Sequence, residues 1–75
     1  MSLGNPILEG KFYKFPVLKN QFLIKYNNEK YYVLSRGGWG ALMLISTKNT
    51  LQEAKEYLVK YINENMKVSY PNLTL

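Results

Sequence analysis

The chain reads as a small α+β domain in two layers: a four-stranded antiparallel β-meander with one C-terminal helix packed on one face. Three observations predict this. Residues 22–45, FLIKYNNEKYYVLSRGGWGALMLI, hold three short apolar runs split by two turn signals. Residues 51–65 abandon alternation for the three-and-four spacing of a helix. The length of 75 residues leaves room for a single domain with a marginal core.

The elements follow in order. Residues 1–10 are a lead-in punctuated by Gly4, Asn5, Pro6 and Gly10, with Ile7 and Leu8 expected to tuck against the core. Residues 11–18, KFYKFPVL, read as the first strand. Pro16 lacks an N–H, which places that strand at an edge or bends it there. Lys19-Asn20 make a tight turn into a second strand at 21–26. Residues 27–30, NNEK, form a polar turn in which asparagine tolerates left-handed backbone. A third strand at 31–35 is β-branched and aromatic. Gly37-Gly38, widened by Trp39-Gly40, turn the chain into a fourth strand at 41–46.

Thr50 with Glu53 three residues later is a capping box that starts the helix. From there Leu51, Ala54, Leu58, Tyr61, Ile62 and Asn65 share one face, with Tyr57 beside it. Glu56 and Lys60 are spaced for an ion pair on the outer face. The asparagines at 63 and 65 suit a left-handed helix end. Residues 66–75 are a tail that either adds a short strand or lies on the surface, and Pro71 stops regular structure.

Composition excludes several functions. Cysteine and histidine are both absent, which removes disulfides, thiolate metal sites and the commonest general base and metal ligand. Glu53 belongs to the cap, no two carboxylates are placed for acid–base work, and no serine has a histidine to activate it. The expectation is a chain that is not an enzyme and takes no metal or cofactor. The N-terminus lacks the basic and apolar blocks of a leader. The longest apolar run, residues 41–45, falls far short of the roughly 20 residues that span a bilayer. A cytoplasmic location is expected.

Net charge is +5 with a pI of about 9.5. Residues 1–47 carry six cations against two carboxylates, and the remainder four against three, so the excess lies on the sheet. Such a chain favours polyanionic partners.

Strand parity sharpens the expectation. Tight turns after Leu18, Tyr26 and Arg36 put Tyr13, Phe15, Val17, Phe22, Ile24, Tyr26, Tyr31, Val33, Leu42 and Leu44 on one face, for the helix. The other face collects Phe12, Lys14, Pro16, Leu18, Leu23, Lys25, Tyr32, Leu34, Arg36, Met43 and Ile45. One helix cannot cover both, and an open face of mixed apolar and cationic character marks an interaction surface. Lys14, Lys25 and Arg36 are the candidate phosphate contacts; Phe12, Tyr32 and Trp39 are the candidate stacking rings. The alternative is a protein-interaction or homodimer face built on Leu23, Leu34, Met43 and Ile45, as in a viral or mobile-element accessory or inhibitor protein. For Trp39 the favoured role is a hairpin residue folded back over the sheet end.

The strand-to-helix step with TLQEAKEYL at its helical start resembles that of the arm-type DNA-binding domains of some tyrosine recombinases and of the partly double-stranded-RNA-binding-like fold of some antitoxins. The likeness covers residues 31–62, rests on capping chemistry and assigns no functional residue.

Overall fold

The computed structural model describes residues 1–66, 70 and 72–75. The strands are β1 (Ile7–Glu9), β2 (Phe12–Lys14), β3 (Phe22–Asn27), β4 (Lys30–Arg36) and β5 (Leu42–Lys48), followed by the helix α1 (Leu51–Asn65). The five strands form one antiparallel meander in chain order, and α1 packs against β4 and β5.

The reversals follow from backbone chemistry. Asn28 and Glu29 both take positive φ, 51° and 63°, which is the two-residue turn whose twist matches paired strands. Tyr26 then faces Tyr31, Ile24 faces Val33, and Leu23 faces Leu34. Pro16 bends the chain as its missing N–H requires: residues Pro16–Leu18 form a short 3-10 turn, and Lys19 and Asn20 follow with φ of 51° and 64°. The first predicted strand is therefore cut to three residues. Tyr13, not Phe15, pairs with Ile24; the slip is two residues, so the face assignment of β2 is unchanged.

The sheet has a fifth strand where a lead-in was expected. Gly10, at φ +61°, turns β1 back against β2. Ile7 and Leu8 are exposed on that strand and do not tuck inward. Leu3 does so instead. Its N–H donates to the Thr74 carbonyl at 2.6 Å, the Thr74 N–H donates to the Met1 carbonyl at 2.8 Å, and Leu73 is buried with Leu3 in the core. The expected stop at Pro71 lies outside the described residues.

The core gathers on one side of the sheet: Phe22, Ile24 and Val33 from β3 and β4, Ala54, Leu58 and Ile62 from α1, and Leu3, Phe15, Leu18 and Leu73 from the loops and ends. Leu18, assigned by parity to the open face, is fully buried here, because the turn at Pro16 breaks alternation. Desolvation, and then the neighbouring Tyr13 and Tyr26, raise the Tyr31 pKa above its ordinary value.

The helix begins as expected. The Thr50 hydroxyl accepts from the Glu53 N–H at 3.1 Å and donates to the Glu53 carboxylate at 3.0 Å. The carboxylate thus reaches the cap's hydroxyl and not its backbone. Thr50→Ala is expected to lower stability by about 1 kcal/mol, read as a shifted urea midpoint at unchanged slope. At the other end the asparagines act differently from the expected left-handed stop. Asn65 donates to the Tyr61 carbonyl at 2.9 Å. Asn63 clamps the returning chain: its Nδ2 donates to the Leu73 carbonyl at 2.7 Å, and its Oδ1 accepts from the Leu73 N–H at 2.9 Å. Glu56 accepts from Gln52 at 3.2 Å and forms no ion pair with Lys60.

Between β4 and β5 the structure departs from the expected parity. Residues 37–41 form a five-residue loop, so Arg36 faces Leu42 and Leu34 faces Leu44. A bulge follows: Val33 faces Ser46, leaving Ile45 as the extra residue. Ile45 packs against the core. An odd loop inverts the first half of β5, and the bulge restores the second.

Candidate functional site on the open sheet face

The face away from α1 is crossed by two rows of side chains. One runs Glu9, Phe12, Lys25, Tyr32, Thr47 across all five strands. The next runs Ile7, Lys14, Leu23, Leu34, Leu44, with Arg36 and Leu42 beyond it. The rows differ in chemistry. The first lies nearer the Asn28-Glu29 turn and is aromatic and polar; the second, toward the glycine loop, is largely aliphatic.

Between them lies an open groove of about 330 Å3 lined by Phe12, Lys25, Asn27, Tyr32, Leu34, Leu42 and Leu44. The helix and both chain ends lie against the opposite side, with Ile24 and Val33. Among the described residues the face expected from the sequence to be open is therefore uncovered by the helix or the chain ends.

The six candidate nucleic-acid contacts do not stay together. Phe12, Lys25 and Tyr32 share the first row, and the Lys25 ammonium stands 5.6 Å from the Phe12 ring centroid, a cation–π contact. Lys14 shares the face but is held by Glu9 at 2.8 Å, the one ion pair among the described residues. Arg36 serves the scaffold: its Nε donates to the Asn20 carbonyl at 3.0 Å and its Nη1 to the Gly40 carbonyl at 2.9 Å. These two bonds tie the turn before β3 to the loop before β5.

Trp39 does not fold back over the sheet. It sits at the loop tip with φ 64° between Gly38 and Gly40, and is fully exposed. The clamp from Arg36 and the bond from the Gly37 N–H to the Ala41 carbonyl, at 2.7 Å, hold the loop in a shape that leaves the ring in solvent.

The four candidates of the alternative reading also separate. Leu34 is half-buried beside the groove. Leu23 is on the open face but only 2% exposed. Met43 and Ile45 have moved to the helix side of the sheet, with Leu42 and Leu44 taking their place, because the loop is odd and the bulge is at Ile45.

Sequence reasoning missed Asn27, Thr47, Leu42 and Leu44 at this site. Asn27 had a signal, since it follows Lys25 by two residues on the same strand face. Lys11 joins it at the rim, donating to the Asn27 Oδ1 at 3.4 Å. Among the described residues no group of three acidic side chains could hold a metal ion, and no helix is long and apolar enough to cross a membrane. Compared with known protein families, curated proteins and solved structures, the chain matches none.

Proposed function

We propose that this chain is a non-catalytic module that binds single-stranded nucleic acid across the open face of its sheet. One observation carries the reading: Lys25 lies between Phe12 and Tyr32 in a cross-strand row that no other element covers among the described residues, in a chain of net charge +5. Phe12 and Tyr32 offer ring faces to bases, a contact that tolerates any base. Lys25, with Lys11 at the rim, neutralises backbone phosphates. Asn27 and the Tyr32 hydroxyl supply hydrogen bonds along the groove. The absence of cysteine accords with work in a reducing, cytoplasmic setting.

Fluorescence anisotropy with labelled single-stranded DNA and RNA tests this. Binding is expected at low salt, with log K falling by about 0.7 per decade of salt for each phosphate engaged. Tyr32→Ala is expected to weaken binding about tenfold or more through the lost stack, and Lys25→Glu to weaken it and flatten the salt slope. No change of anisotropy with any oligonucleotide at low salt overturns the proposal.

A second reading has its own support. The aliphatic end of the groove, Leu34, Leu42 and Leu44, and the commitment of Lys14 and Arg36 to internal partners suit a protein surface. Its mark is binding insensitive to salt and lost in Leu34→Glu.

A further inference from the structure

The two edges of the sheet are unlike. β1 is three residues long, follows Pro6 and carries Glu9, all features that discourage a further strand. β5 is seven residues long and carries neither proline nor charge before Lys48; its one guard is the bulge at Ile45. Residues 37–47, GGWGALMLIST, are the longest uncharged run in the chain. Leu42, Met43 and Leu44 point to alternate sides of this edge, and Met43 and Leu44 are each 58% exposed. An apolar edge strand with free backbone groups is a template for another strand.

The charge distribution selects the occupant. Two copies of a +5 chain repel wherever their cations meet. The edge at residues 41–47 is a neutral border on which they can approach.

We infer that the protein forms a two-fold dimer by antiparallel pairing of β5 with β5 of a second copy, centred on Met43. The bulge at Ile45 limits the pairable stretch to residues 41–45 and sets that centre. In this register Met43 faces Met43 of the second copy on the helix side. Leu42 faces Leu44 of the second copy on the open side, twice, joining Leu34 in one aliphatic strip. Two five-stranded sheets become one of ten strands, with both open faces on the same side. The pairing rests on the edge and does not depend on nucleic-acid binding.

The test is the mass of the full chain, by light scattering and sedimentation, from micromolar to millimolar concentration, with circular dichroism to verify folding. A concentration-dependent dimer is expected. Met43→Lys and Met43→Glu each place like charges on the two-fold axis and are expected to raise the dissociation constant at least about a hundredfold. Mixed in equal amounts, the two variants are expected to dimerise with each other, which a misfolded variant could not do. Leu8→Lys on the β1 edge is expected to leave the dimer intact. A monomer at every concentration overturns the inference. So does a dimer that survives both Met43 substitutions, or one dispersed by Phe12→Glu on the open face but untouched by them.

Discussion

Phe22→Ala is expected to lower the unfolding free energy by about 3–5 kcal/mol, the cost of deleting a buried phenyl ring. The chain has 75 residues, for which a total stability of about 4–11 kcal/mol is typical. One ring therefore carries a large fraction of it. Phe22 is 1% exposed and sits where three parts of the chain meet. Its ring is edge-on to Tyr61 of α1 at 6.0 Å and to Tyr70 after the helix at 6.4 Å. Edge-to-face pairs add about 0.5–1.5 kcal/mol beyond area burial. The Tyr70 hydroxyl in turn donates to the Leu18 carbonyl at 3.1 Å, so the loss of Phe22 also loosens the chain around the Pro16–Leu18 turn. Urea unfolding followed by far-UV circular dichroism gives the value. A loss under about 1.5 kcal/mol, the range of a tolerated repacking, would contradict this account of the core.

The second large effect is expected at the chain's end. Shortening the chain to finish at Asn72 is expected to cost at least about 3 kcal/mol, although three terminal residues are ordinarily dispensable. Leu73 is buried in the core and covers Leu3, and its N–H and carbonyl are both bonded to the Asn63 side chain. Thr74 exchanges backbone bonds with Leu3 and Met1. Removing the three residues uncovers buried Leu3, deletes buried Leu73 together with exposed Leu75, and frees the first residues of the chain. Asn63→Ala isolates part of this. It leaves two half-buried backbone groups without their partner and is expected to cost about 1–3 kcal/mol. Thermal melts of the two variants check the order, with the shortened chain melting lower. A shortened chain within about 1 kcal/mol of the parent would show that the ends are ornamental to the core.

The two proposals use different parts of the sheet. The aromatic and polar row nearer the Asn28-Glu29 turn is the surface proposed for the ligand; the β5 edge, with Leu42 and Leu44, is the one proposed for the second copy. Salt titration reads the first and mass reads the second, so the failure of one leaves the other standing.

Local order in the chain determined a good deal. Alternation across β2, β3 and β4 needs only the period of two, and it put Phe12, Lys25 and Tyr32 on one face; that Phe12 stands opposite Lys25 came from the two-residue slip at the Pro16 turn. The capping box and the helical stripe are likewise short-range, so α1 and its buried face at Ala54, Leu58 and Ile62 were legible. Tertiary structure decided the remainder. The loop at Gly37 took an odd length and Ile45 bulged out of register to pack against the core; that exchanged Leu42 and Leu44 for Met43 and Ile45 on the open face. Arg36 found a partner 16 positions away at Asn20, which only folding brings near, while Gly40 and Glu9 meet Arg36 and Lys14 within a loop and a hairpin. The bridge between Ser2 and Thr74 joins residues 72 positions apart, a closure that no local pattern can announce because its gain appears only once both ends lie against the same core.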